Sequence, residues 1–146
     1  MSVVSLNLNN GKILELEIEP GDYVIDCGAN IGEIVNLFHF HGANVIAFEP
    51  NKHAYEVLLR RFKNINNIKC IPKGVSGKKS AGIRKMFLHE QAEENQVLYS
   101  TGSSILEDKQ NVNKENFIEV EMVDLCKFLK YFKKKVKVLK IDIEGA

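Results

Sequence analysis

Apolar positions recur at every second residue near the start of the chain and at helical spacing further on. Val4, Leu6 and Leu8 alternate with polar residues, Asn9-Asn10-Gly11 supplies turn chemistry, and Ile13-Leu14-Glu15-Leu16-Glu17-Ile18 alternates again. Residues 1–20 are therefore expected to hold a β-hairpin. Pro20-Gly21-Asp22 breaks the pattern. Tyr23-Val24-Ile25-Asp26 is a short apolar run that ends in a carboxylate and enters the turn Cys27-Gly28-Ala29-Asn30-Ile31-Gly32. Ile31, Ile34, Val35 and Phe38 then fall on one face of a helix, which Gly42 stops. Asn44-Val45-Ile46-Ala47-Phe48-Glu49 is a continuous apolar run, the mark of a strand covered on both faces. Asn51 is placed to cap a second helix, with Tyr55, Leu58, Leu59 and Phe62 as its apolar stripe.

Ile68-Lys69-Cys70-Ile71 makes a third strand, leading to Lys73-Gly74-Val75-Ser76. The order β-α-β-α-β implies right-handed crossovers and a parallel sheet with helices on both faces. From Gly77 to Asn116 the pattern weakens. Arg84 to His89 reads as a strand, and Glu90 to Asn116, which holds Ser100-Thr101-Gly102-Ser103-Ser104, as a long mobile loop that serves either as a lid over an acceptor or as a disordered segment. Phe117 to Val123 reads as a strand. Asp124 caps a third helix with Leu125, Phe128, Leu129 and Phe132 on one face, and Val136 to Ile141 is a last buried strand. The chain stops at Asp142-Ile143-Glu144-Gly145-Ala146, which looks like the opening of another loop and helix. The expectation is a single α/β domain over residues 1–146, incomplete at its C-terminus.

The length of 146 residues allows one domain with a real core and is too short for two. An apolar fraction of 45% with 27% charged residues argues against disorder. The formal net charge of +1 gives no electrostatic reason to expect nucleic acid or a membrane surface, and no apolar run approaches the ~20 residues that span a bilayer. Met1-Ser2-Val3-Val4-Ser5 lacks the basic and apolar regions of a secretory signal, and Cys27, Cys70 and Cys126 are scattered without a C-x-x-C pair. A cytoplasmic location with buried, unpaired thiols is expected. His39 and His41 diverge on a helix and suit no metal pair, a histidine in the last turn before Gly42 instead complementing the helix dipole, and the lysines from Lys127 to Lys140 read as a solvated face with helix C-terminal charges, the alternative being a nucleic-acid surface.

Chemistry concentrates where strands end. In an open parallel sheet ligands bind beyond the carboxyl ends of the strands, and Asp26 with its glycine turn, Glu49, Val75-Ser76 and Asp142 all fall there. Gly28 and Gly32 lie where the backbone turns sharply and approaches a ligand, although an ordinary strand-to-helix turn uses glycines in the same way. Glu49 follows at roughly the 20-residue offset at which a carboxylate accepts ribose hydroxyls; its plain alternative is a solvated acid at a strand end. A dinucleotide fingerprint would need glycines where Asn30 and Glu33 stand. A phosphate loop would need a longer spacing and a lysine. What remains is D-x-G-x-N-x-G, whose acid opposes a pyrophosphate and favours a cation. S-adenosylmethionine, with a sulfonium and an ammonium, complements such a pocket.

Three ordered motifs carry a resemblance. Val24-Ile25-Asp26-Cys27-Gly28-Ala29-Asn30-Ile31-Gly32, then Val45-Ile46-Ala47-Phe48-Glu49-Pro50-Asn51, then Val138-Leu139-Lys140-Ile141-Asp142-Ile143-Glu144-Gly145-Ala146 are similar to the FkbM family of class I S-adenosylmethionine-dependent methyltransferases, with Gly74-Val75-Ser76 and Gly102-Ser103-Ser104-Ile105 as weaker echoes. The resemblance implies a Rossmann-like three-layer sandwich. It implies that Asp26, Gly28, Asn30 and Gly32 border the methionine part of the cofactor, Glu49 the ribose and Val75-Ser76 the adenine, with Asp142 near the sulfonium. It further implies O-methylation of a sugar or other small hydroxylated acceptor. The family continues past Glu-Gly-Ala and this chain does not, so the alternative is a non-catalytic cofactor-binding or interaction module. A hydroxyl acceptor needs a base, and Asp142 and Glu144 are the motif-borne candidates; both residues also suit cofactor hydrogen bonding or helix capping without proton transfer.

Overall fold

A computed structural model describes residues 1–8, 10–77, 81–89 and 112–143. Strands β1 (Ser2–Asn7) and β2 (Ile13–Ile18) pair antiparallel, with Val4 opposite Leu16. The chain continues through β3 (Tyr23–Cys27), α1 (Glu33–Phe40), β4 (Asn44–Phe48), α2 (Lys52–Phe62), β5 (Ile68–Ile71), β6 (Gly74–Ser76), β7 (Gly82–His89), β8 (Val112–Asp124), α3 (Leu125–Tyr131) and β9 (Val136–Ile141). Four of these strands form a parallel sheet in the order β5-β4-β3-β9, and β6-β8-β7 form a second sheet.

The central strands are apolar on both sides, so both faces of the sheet must be covered. Val24, Val45 and Ala47 enter one buried cluster with Val35 and Phe38 of α1, Leu58 and Phe62 of α2, and Val4 and Ile18 of the hairpin. Ile25, Cys27 and Phe48 face the other way, where Leu125, Phe128 and Leu129 of α3 and the adjoining Phe132 pack. Phe128 meets Phe48 edge to face at 5.1 Å. The result is the three-layer α/β arrangement of a Rossmann-like fold, with α1 and α2 on one side and α3 on the other. Each fully buried Phe, Leu or Val side chain contributes roughly 1.5–3 kcal/mol, so the two clusters hold the layers together.

The helix ends follow local chemistry. The Asn51 side chain accepts from the His53 and Ala54 amides at the start of α2, and Asp124 accepts from Lys127 at the start of α3. Helix α1 begins at Glu33 and not at Ile31, because Gly32 precedes it in the left-handed region at φ 89° and offers no side-chain cap. On α2 the buried stripe is Ala54, Leu58 and Phe62, while Leu59 is exposed. No described helix is long and apolar enough to cross a membrane.

Three expectations need correction. Val112 to Asn116, read from the sequence as loop, belongs to β8, because Val112 pairs with His89 and extends the β7–β8 ladder; residues 90–111, with the Ser/Thr/Gly segment, lie outside the described residues. Strand β9 is not buried throughout. It lies at the edge of its sheet and alternates between half-buried and exposed positions, Leu139 and Ile141 among the latter. Cys27 is buried, but Cys70 is half-buried and Cys126, on the outer side of α3, is exposed.

Candidate cofactor site

Parallel pairing sets the carboxyl ends of β4, β3 and β9 side by side, Cys27 being level with Phe48 on one side and Ile141 on the other. Beyond those ends lie Glu49, the 28–32 turn and Asp142. Backbone hydrogen bonds fix their spacing: the amides of Gly28 and Ala29 both donate to the Phe48 carbonyl, at 3.0 and 2.9 Å, and the Asp142 amide donates to the Cys27 carbonyl at 3.0 Å.

The turn holds three residues in the left-handed region, Gly28 at φ 82°, Asn30 at φ 50° and Gly32 at φ 89°. Packing explains the two glycines as much as φ does. A Cβ on Gly28 would run into the carbonyl of Asp142, and one on Gly32 into the side chains of Phe62 and Leu58. The close approach that Gly28 permits is thus to the backbone of β9's exit, which brings Asp142 against the turn. On the opposite side the Arg61 guanidinium donates to the Ile31 carbonyl at 2.6 Å.

Glu49 is 7% exposed and brackets two elements. Its Oε2 accepts from the Asn30 amide and its Oε1 from the Asn51 amide, each at 2.7 Å, joining the turn to the start of α2. Burial pushes its carboxyl above the ordinary value and these two amides oppose that. Each carboxylate oxygen still has a second lone pair with which to receive a ligand hydroxyl.

Asp26 is fully buried beneath the turn. Its Oδ1 accepts from the Lys140 ammonium at 2.8 Å, and the same ammonium donates to the Gly28 carbonyl at 3.0 Å and lies 3.9 Å from Oδ2 of the exposed Asp142 carboxylate. Oδ2 of Asp26 is buried with no hydrogen-bond partner among the described residues. Burial raises the Asp26 carboxyl above its usual range, Lys140 works against that, and Asp142 adds to it. Burial, with the neighbouring Asp26 charge, pushes the Cys27 thiol up to about 12, so it stays protonated and is no nucleophile.

Asp26, Gly28, Asn30, Gly32, Glu49 and Asp142 therefore come together. Val75 and Ser76 are placed differently from the expectation that they close a strand of the parallel sheet. They form β6, which pairs with β8 in the second sheet. Val75 points into the cluster of Ile25, Cys27 and Phe48, and Ser76 is buried with its hydroxyl donating to the Gly77 carbonyl. Their tie to the site is that shared cluster and the approach of Gly74 to Pro50. Glu144 lies outside the described residues. Lys140 and Arg61 were not legible as site residues. Lys140, read with the solvated lysines, is half-buried and ion-paired; the signal was a lone lysine inside the apolar run Val138-Leu139-Lys140-Ile141.

The donor set suits a cationic adenosine cofactor. Among the described residues the carboxylates of Asp26, Glu49 and Asp142 face the one ammonium of Lys140, and Asp26 Oδ2 and the remaining lone pairs of Glu49 have no donor. A parallel sheet with helices on both faces, an acid-and-glycine turn after its central strand and a carboxylate after the next defines a Rossmann-like nucleotide-cofactor protein. The family model for the methyltransferase FkbM domain matches residues 26–146, and the chain belongs to that family, whose members are S-adenosylmethionine-dependent methyltransferases. No curated protein shows significant similarity to the chain. Among solved structures, a Clostridium thermocellum protein described as an rRNA-methylase is 19% identical over 39% of this chain and 35% of its own, with a TM-score of 0.35. The mycolic acid cyclopropane synthase CmaA1, solved with SAH and CTAB, is 16% identical over 60% of this chain and 45% of its own, with a TM-score of 0.36. The chain thus spans less than half the length of either structure, and overlaps this low carry no weight for function.

Proposed function

We propose that this chain forms the cofactor-binding part of a methyltransferase that transfers a methyl group from S-adenosylmethionine to a hydroxyl of a sugar or other small acceptor. The observation that carries the reading is the convergence of the 28–32 turn, Glu49 and Asp142 at the ends of three neighbouring parallel strands, in a chain of the FkbM family. The domain taken here is residues 1–146, a unit supported by Val4 and Ile18 of the hairpin lying in the same cluster as α1 and β4. A cytoplasmic setting belongs to the same proposal and is supported by three unpaired cysteines.

In this reading Asp26, Gly28, Asn30 and Gly32 border the methionine part, Glu49 takes the ribose hydroxyls on its free lone pairs, and Val75-Ser76 flank the adenine through the backbone of β6. The cofactor, when bound, supplies an electrophilic methyl group; the chain's own residues do the alignment, which is the dominant contribution to an in-line displacement. Asp142 stands at the mouth, its backbone locked to Cys27 and its carboxylate exposed, placed to receive a hydroxyl proton. Glu144 is the second candidate for that proton.

Calorimetric titration with S-adenosylmethionine tests the reading. Binding is expected, and no heat at millimolar cofactor would overturn it. Methyl transfer is then followed with labelled cofactor across a panel of hydroxylated acceptors. Binding without transfer to any of them would favour a non-catalytic cofactor-binding module.

A further inference from the structure

We propose that Lys140 is a positioning residue of the cofactor site, a single ammonium that ties Asp26 on β3, the Gly28 carbonyl of the turn and Asp142 beyond β9 into one unit. The inference rests on the cofactor reading above. Lys140 stands level with Asp26 in the β3–β9 register, and its ammonium lies 2.8 Å from Asp26 Oδ1, 3.0 Å from the Gly28 oxygen and 3.9 Å from Asp142 Oδ2. Its partner is fully buried, which separates it from an ordinary surface lysine: removing one member of such a pair leaves a charge in the interior with nothing to balance it.

Among the described residues the groups facing Asp26 are Lys140 on β9, Asp142 just beyond it, Glu49 from the end of β4 and Cys27 on its own strand. Of these Lys140 alone favours the ionised carboxylate against burial and against its acidic neighbours. Without it Asp26 keeps its proton to higher pH, and the Gly28 carbonyl loses its side-chain donor. Both changes weaken the site for a ligand that carries an ammonium, the first by turning an acceptor carboxylate into a carboxyl with a hydroxyl donor and the second by loosening the turn.

The test compares wild type, Lys140→Met, Lys140→Arg and Lys137→Met, the last an exposed lysine on the same strand. Each is titrated with S-adenosylmethionine over a pH series and unfolded in urea without ligand over the same series. Lys140→Met is expected to bind about tenfold more weakly at neutral pH. Its affinity should recover with rising pH, with a midpoint about one unit or more above that of wild type. Lys140→Arg should restore the midpoint, and Lys137→Met should match wild type. In the ligand-free series the cost of Lys140→Met should grow as pH rises through the range in which wild-type Asp26 ionises, since Asp26 without its ammonium keeps its proton longer. Wild-type affinity and midpoint in Lys140→Met, or a stability cost independent of pH, would overturn the proposal. Should Lys140→Met not fold, Asp26→Asn/Lys140→Met leaves no unpaired charge at position 26 and should bind without the wild-type pH dependence; an unchanged midpoint in that variant overturns it equally. Absence of binding by wild type would sink the cofactor reading, while the ligand-free series would still decide whether Lys140 clamps the turn.

Discussion

Glu49 carries two loads with one carboxylate. Its oxygens already hold the Asn30 and Asn51 amides, so any ribose it receives is bound by a group whose position is set by the fold. Glu49→Gln keeps the shape but turns one oxygen into an NH2 facing a backbone N–H. Cofactor affinity should fall by ~1–3 kcal/mol, with part of the loss coming from the turn; calorimetry checks this, and an unchanged affinity would reject the ribose role. Gly28 is constrained more simply. Gly28→Ala places a methyl against the Asp142 carbonyl at a φ that L residues disfavour, so the turn and β9's exit must separate. Loss of measurable cofactor binding is expected together with a lower thermal midpoint, whereas a variant that binds normally would show that the Gly28–Asp142 contact is dispensable.

At the scale of elements, the site is hung on the start of α2 as much as on strands. Asn51 is 2% exposed, caps α2 with its side chain and gives its amide to Glu49, so the helix start and the ribose candidate share one residue. Asn51→Ala should cost about 1 kcal/mol of stability through the lost cap. Urea unfolding measures it, and a cost near zero would mean the cap is replaced by solvent. Cofactor affinity should fall less than in Glu49→Gln, since the Asn51 amide remains. Strand β9 contributes differently: it is an edge strand whose apolar residues are partly exposed, and its firm attachments to the site are the Lys140 ammonium and the Asp142 amide.

For the whole molecule, two acids held inside a hydrophobic sheet give a signed pH dependence. The Asp26 and Glu49 carboxyls are raised above their ordinary values of 3.8 and 4.5, chiefly by burial. An acid that binds its proton more tightly when folded contributes stability that is fully present below its unfolded value and is lost as pH rises through the folded one. Asp26→Asn should therefore flatten the decline in stability from about pH 4 upward, measured as urea midpoints across pH; the same slope in the variant would remove Asp26 as its source. Much of this molecule was legible in its sequence because the signals are local. Alternation marked the hairpin, continuous apolar runs marked β3 and β4, helical spacing marked α1 and α2, Asn51 and Asp124 declared their caps, and the spacing of Asp26, Gly28, Gly32 and Glu49 selected a cofactor class. The start of β8 was missed because its residues become a strand only through the distant partner His89. Lys140 was missed because a lysine's role depends on what lies across the sheet, and Asp26, more than a hundred residues earlier, meets it only through the β3–β9 register. Sequence alone determined the elements from the hairpin to α2 and the chemical character of the turn, since both follow from neighbours along the chain. Only the tertiary structure decided that Gly28 makes room for Asp142, that Glu49 binds two elements and that one ammonium neutralises the buried acid, because each is a contact between segments that chain order leaves apart.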